Sequence, residues 1–124
     1  MRVWLIAVRP WALPASAMPV AFGTALAAVF GGARLSLPRF LWALATMTVL
    51  HSAANMLSDV FDFRRGLDRE TTPVSGAIVR GLLTDAQVLR GSMALFVLGT
   101  ASGLLLARAT DPTLLAVGAV GVAI

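Results

Sequence analysis

Three stretches of mostly apolar side chains, near Trp11 to Phe30, Phe40 to Asp62 and Val88 to Ala107, are separated by arginine-bearing segments. Each runs for about 20 residues, the length at which a helix crosses a hydrocarbon core. Inside a bilayer the backbone has no water to pair with, so such runs are held to helices that satisfy their own polar groups. Composition agrees, with 58% hydrophobic and 13% charged residues and a mean hydropathy of +0.85, outside the range of soluble domains. The expected fold is all-α, a polytopic transmembrane helix bundle. A fourth apolar run begins near Thr113 and stops at Ile124, too short to cross. The expectation is therefore three complete spans and part of a fourth, the front part of a longer protein.

The first span contains Pro14 and Pro19, tolerated in a membrane helix because neighbours can satisfy the freed carbonyls. Before it, "MRVWLIAVRP" has arginines and a tryptophan at interfacial positions and predicts a short helix lying on the membrane surface. Trp4, Trp11 and Trp42 are expected as interfacial anchors. Gly91, Gly99 and Gly103 suit close helix packing. The chain has no cysteine, which excludes disulfides and thiolate metal sites.

The net charge of +4 comes with ten basic residues that are all arginine. They lie between apolar segments, which points to membrane topology and not to nucleic acid. With the N-terminus in the cytoplasm, Arg2, Arg9, Arg64, Arg65, Arg69, Arg80 and Arg90 fall inside and Arg34, Arg39 and Arg108 outside, as the positive-inside rule asks.

Four of the six acidic residues crowd into "NMLSDVFDFRRGLDRE" at the end of the second span: Asp59, Asp62, Asp68 and Glu70. At about 100° per helical residue, His51, Asn55, Ser58, Asp59 and Asp62 share an arc of about 100°. A polar stripe at membrane depth is a functional-site hypothesis; the alternative is a helix end solvated at the interface. Two carboxylates three residues apart, with the Asn55 amide one turn earlier, present oxygens suited to Mg²⁺, which commonly bridges carboxylates to a substrate phosphate. Arg64, Arg65, Arg69 and Arg80 are candidate phosphate partners. Together these residues suggest a lipid diphosphate. A lone histidine such as His51 reads as a hydrogen-bonded packing residue.

"NMLSDVFDFRRGLD" resembles the first aspartate-rich motif of the UbiA superfamily of intramembrane prenyltransferases, in the form found in its dihydroxynaphthoate branch. "RPWALPASAMPVAFGTALA" and "SGAIVRGLLTDAQV" are similar to segments on either side of that motif. The resemblance implies that residues 1–124 are the N-terminal portion of such a domain, truncated before a second aspartate motif. It also implies a bundle of about nine helices, roughly the typical size in that family, each long enough to span. Asp59, Asp62 and Asp68 match the motif's acids, as Mg²⁺ ligands, with Asp59 and Asp62 catalytic. Asn55, Ser58, Arg64, Arg65, Arg69 and Arg80 would bind substrate. Ser58 departs from the pattern, which has Asn immediately before Asp59, and a hydroxyl offers no amide carbonyl.

The implied activity is transfer of a polyprenyl group from an allylic polyprenyl diphosphate to an aromatic acceptor, 1,4-dihydroxy-2-naphthoate on the route to menaquinone. The implied setting is a bacterial cell membrane, with lipid around the bundle and the missing C-terminal half as a partner. Alternatives are another acceptor such as 4-hydroxybenzoate, or a non-enzymatic helical subunit or inactive fragment. A phosphatidyl-type transferase would need Asp-Gly and Ala-Arg pairs at a spacing not found in the chain.

Overall fold

The computed structural model describes residues 2–67, 76–111, 113, 115 and 116, and these are helical with no strand among them. Four α-helices follow one another: α1 (Arg2–Val8), α2 (Pro14–Val29), α3 (Leu37–Arg64) and α4 (Asp85–Thr110), with a 3₁₀ turn at Pro10–Ala12 between the first two. The α3 and α4 helices are long and apolar enough to cross a membrane, and the bent pair formed by Arg2–Ala12 and α2 passes the same test as one broken span. Most of the expected fourth span lies outside the described residues.

Local chemistry sets the helix ends, and it moves them from where apolar counting puts them. Proline fits a first helical turn, where its missing N–H has no partner to lose. Pro10 and Pro14 accordingly open the 3₁₀ turn and α2, and the two halves meet at 44°. Pro38 in the first turn brings the start of α3 back to Leu37. Its other end runs on to Arg64 and closes with Gly66 at φ 68°, where the Leu67 N–H donates to the Asp62 carbonyl (2.9 Å) and the Gly66 N–H to that of Phe63 (3.1 Å). These are the paired bonds of a Schellman cap, which needs a left-handed residue and therefore favours glycine. Thr84 and Gln87 form a reciprocal capping box, so α4 starts at Asp85, earlier than the expected Val88.

The α3 and α4 helices pack antiparallel through small residues and hydroxyls. At Gly99 an added Cβ would lie 2.6 Å from Leu50 Cδ2, and at Gly91 it would lie 2.8 Å from Met56 Cε and 2.9 Å from Trp4 Cζ3. Both glycines serve close packing as expected. Ser92 Oγ donates to the Ala53 carbonyl (2.9 Å), Trp42 Nε1 donates to Ser102 Oγ (2.9 Å), and Thr46 Oγ1 and Ser102 Oγ share a bond of 2.7 Å. Trp42 thus ties α3 to α4.

The buried apolar cluster sits at one end of this pair: Ala7 of α1, Met56 and Val60 of α3, Ala77 and Ile78 of the connecting segment, and Val88 of α4. Helix α1, expected on the membrane surface, packs against α3 with Ala7 fully buried, while Leu5 stays exposed. Three elements converge on the acidic end of α3.

Candidate functional site

Asp59 lies on the buried side of α3, beside Val60, with 3% of its surface exposed. A carboxylate taken out of water needs a partner of opposite charge. Arg9 supplies one, its Nη2 donating to Asp59 Oδ1. Arg9 follows α1 and precedes Pro10, with φ 54° and ψ 62°, a left-handed conformation that costs a non-glycine residue roughly 1–3 kcal/mol and persists only where the surroundings impose it. The break that turns the chain from α1 into α2 therefore also aims a guanidinium at the end of α3. The Arg9 side chain as a whole is 30% exposed, but its Nε is buried with no hydrogen-bond partner among the described residues.

One turn further along, Asp62 is half-buried and accepts from the Ser58 hydroxyl at 3.2 Å. Asn55 and His51 continue the stripe toward the middle of α3. Both are half-buried, and Asn55 Nδ2 and His51 Nε2 lack partners among the described residues. The expectation that His51 is hydrogen-bonded is thus not met at Nε2.

The expected phosphate partners divide. Arg64 donates through Nε (3.1 Å) and Nη2 (3.0 Å) to Asp85 Oδ2, which links the end of α3 to the start of α4. Arg65 is exposed, its guanidinium carbon 5.9 Å from the centre of the Phe61 ring, and Arg80 is exposed on the segment that leads into α4. Asp68 and Arg69 lie outside the described residues. Sequence reasoning missed two participants: Arg9, assigned there to topology alone, and Asp85. The available signal for Arg9 was an arginine directly before a proline, on the same side of the bundle as a buried acid.

The donor chemistry suits a hard cation, since Asp59 and Asp62 offer carboxylate oxygens one turn apart on one helix face. Among the described residues no group of three or more His, Cys, Asp or Glu side chains gathers. The far end of the bundle holds an acid of another kind. Asp111, after α4, accepts from the Thr113 N–H and hydroxyl (2.8 Å each), and these bonds hold its carboxyl below the usual range. It is a local turn, at the opposite end from Asp59.

No protein-family model and no solved structure matches the chain significantly. Curated proteins do. UbiA prenyltransferase domain-containing protein 1 of Xenopus tropicalis is 33% identical over 96 residues, 77% of this chain and 27% of the relative. The 1,4-dihydroxy-2-naphthoate octaprenyltransferase of Bacillus subtilis is 32% identical over 117 residues, covering 94% and 37%, and that of Mycobacterium tuberculosis is 34% identical over 120 residues, covering 97% and 40%. The chain spans between 27% and 40% of the length of these relatives. By homology over most of its own length, the chain belongs to the UbiA prenyltransferase family.

Proposed function

We propose that this chain supplies the diphosphate-binding end of a membrane prenyltransferase, which moves a polyprenyl group from an allylic diphosphate to an aromatic acceptor, 1,4-dihydroxy-2-naphthoate, in menaquinone biosynthesis. The observation that carries this is the Arg9–Asp59 pair with Asp62 one turn away, at the end of a membrane-length helix. At 1.5 Å per residue α3 is about 42 Å long against a hydrocarbon core of about 30 Å. Its last turns can therefore meet a charged head group while the rest lies beside a prenyl chain.

In this mechanism Arg9 fixes the Asp59 carboxylate, and Ser58 steadies Asp62 at the rim. Mg²⁺, assigned to Asp59, Asp62 and Asp68, would neutralise charge that grows on the leaving diphosphate. The guanidinium groups of Arg65, Arg80 and Arg69 meet the remaining phosphate oxygens. As the allylic C–O bond breaks, its electron pair leaves with the diphosphate and the electron-rich ring of the acceptor attacks the allylic carbon. The attacked ring carbon then loses the group it carried, as H⁺ or CO₂, and the apolar helix faces keep water from competing. Asn55, one turn below Asp59, presents an amide to the same space.

The setting we propose is a bacterial cell membrane with the N-terminus and the acidic end in the cytoplasm. Its support is the arrangement of arginines: Arg9, Arg64 and Arg65 sit at the end of the bundle where α4 begins, and Arg39 and Arg108 at the other. Seven arginines assigned to one side and three to the other then follow the positive-inside rule. Another aromatic acceptor, such as 4-hydroxybenzoate, is the second reading, because some relatives are named by domain and without an acceptor.

One experiment tests both. The matching segment of the Bacillus subtilis octaprenyltransferase is replaced by this chain, and transfer of radiolabelled prenyl groups to each acceptor is followed in membranes. The expected result is Mg²⁺-dependent product from the naphthoate. A chimera that inserts stably but transfers nothing, beside an active parent enzyme, would reject the assignment; product from 4-hydroxybenzoate alone would replace the acceptor.

A further inference from the structure

The Arg9 side chain has one N–H donor committed and another left over. Its Nη2 is held by Asp59, yet its Nε is buried and has no acceptor within the described residues. A guanidinium keeps its charge in any protein environment and presents its donors in a rigid planar fork, a geometry that matches phosphate oxygens. Burying such a donor without an acceptor is unfavourable, and so is the left-handed backbone that puts it there. Both features sit on one residue, at the break between α1 and the 3₁₀ turn, facing the acidic end of α3.

We infer that Arg9 is a phosphate-binding and positioning residue: it keeps Nη2 on Asp59 and offers Nε–H to an oxygen of the bound diphosphate. The assignment rests on the diphosphate chemistry proposed above, and it adds a residue from the first helical segment to a site otherwise built from α3 and the segment leading into α4. Asp59 thereby has a role besides supplying negative charge, because it fixes the plane of the fork that meets the substrate. Pro10 contributes by preventing α1 from continuing straight and carrying Arg9 past the site. The chemistry required of the ligand is a phosphate oxygen, which a prenyl diphosphate or an anionic phospholipid head group could each provide.

The test uses the full chain in phosphatidylcholine nanodiscs, with arginine labelled by ¹⁵N at Nε and inorganic pyrophosphate as the probe, with and without Mg²⁺. The Arg9 signal is identified by its loss in Arg9→Lys. Pyrophosphate is expected to move that signal and slow its proton exchange. In calorimetry, Arg9→Lys, which keeps a charge for Asp59 but loses the fork, should weaken pyrophosphate binding on the order of tenfold, the scale of one charge-assisted hydrogen bond. Arg39→Lys at the opposite end should leave binding unchanged. The labelled wild-type chain keeps the test open even where Arg9→Lys folds poorly, because Arg→Lys variants at the nine other arginines identify their signals one by one and leave that of Arg9.

Pyrophosphate that binds and shifts other arginines but not Arg9 overturns the inference while leaving the diphosphate site intact. No pyrophosphate binding by the wild-type chain, with or without Mg²⁺, overturns the diphosphate reading itself. Discs containing phosphatidylglycerol separate the sources. An Arg9 shift caused by that lipid alone, with none from pyrophosphate, would assign the residue to the membrane surface and reject its place in the substrate site.

Discussion

Arg9 and Asp59 stand fifty positions apart in the chain and meet as an ion pair, the carboxylate almost wholly buried and the guanidinium 30% exposed. The pair joins the first helical break to the end of the longest helix, so one contact ties the placement of α1 to the buried carboxylate.

Asp59→Asn and Asp62→Asn are expected to separate along this line. Both should abolish most prenyl transfer in the chimeric enzyme, because each removes a carboxylate charge while keeping its shape. Their effects on stability should differ. Asp59→Asn leaves the Arg9 charge partly buried beside a neutral amide, a loss expected to fall below the roughly 3–5 kcal/mol of a fully buried pair because Arg9 keeps contact with solvent. Asp62→Asn loses only an exposed bond from Ser58. Denaturant unfolding in mild detergent checks the order, and equal destabilisation by the two variants would contradict it.

Ser58→Asn should fold normally, since Ser58 is exposed and its hydroxyl only reaches Asp62 at 3.2 Å. An amide can still donate to Asp62 and adds a carbonyl beside Asp59. The expected outcome is unchanged or higher turnover at a lower Mg²⁺ requirement. An unchanged requirement in a Mg²⁺ titration of both proteins would remove position 58 from the neighbourhood of the metal.

The small residues between α3 and α4 give a graded series. Gly99→Ala would place its Cβ 2.6 Å and 2.7 Å from Leu50 Cδ2 and Cγ, whereas Gly103→Ala would find only Thr46 Cγ2 at 3.7 Å, an ordinary contact. Overpacking of this kind costs about 1–3 kcal/mol, so Gly99→Ala should destabilise the helix pair and Gly103→Ala should be neutral or mildly stabilising. Gly91→Ala should fall between them, because the ends of Met56 and Trp4 that it meets can move. Thermal unfolding in the same detergent ranks the three.

The two long helices and the polar stripe were legible because they depend on periodicity and length. The α3 and α4 helices appear as apolar runs, and the placement of Asp59 and Asp62 on one face follows from 100° per residue. Their ends shifted because capping works through individual residues that a count of apolar side chains ignores: Pro38, Gly66, and the Thr84–Gln87 box. The Arg9–Asp59 and Arg64–Asp85 pairs were not legible. Ten arginines and six acids permit many pairings, and only the packing of Ala7 against the Met56 and Val60 cluster brings α1 to the end of α3 and so selects the first of them.

Arg64 supplies the last test, because the sequence assigns it to phosphate while the structure binds it to Asp85. Both side chains of that pair are well exposed, at 47% and 35%, and an exposed pair is worth about 0.2–1 kcal/mol. A diphosphate would have to draw Arg64 away at that cost, so removing the competitor should help. Asp85→Asn is therefore expected to raise pyrophosphate affinity up to about fivefold, the factor that corresponds to 1 kcal/mol. It should also destabilise α4 slightly, since an acid in the first turn favours the helix by about 0.3–1 kcal/mol. Arg64→Gln should lower affinity in the wild-type background and cancel the gain in Asp85→Asn. Calorimetric titration of the four proteins gives the coupling directly. If Asp85→Asn and Arg64→Gln both bind pyrophosphate as the parent does, Arg64 is a strut between α3 and α4, and the phosphate contacts belong to Arg9, Arg65 and Arg80.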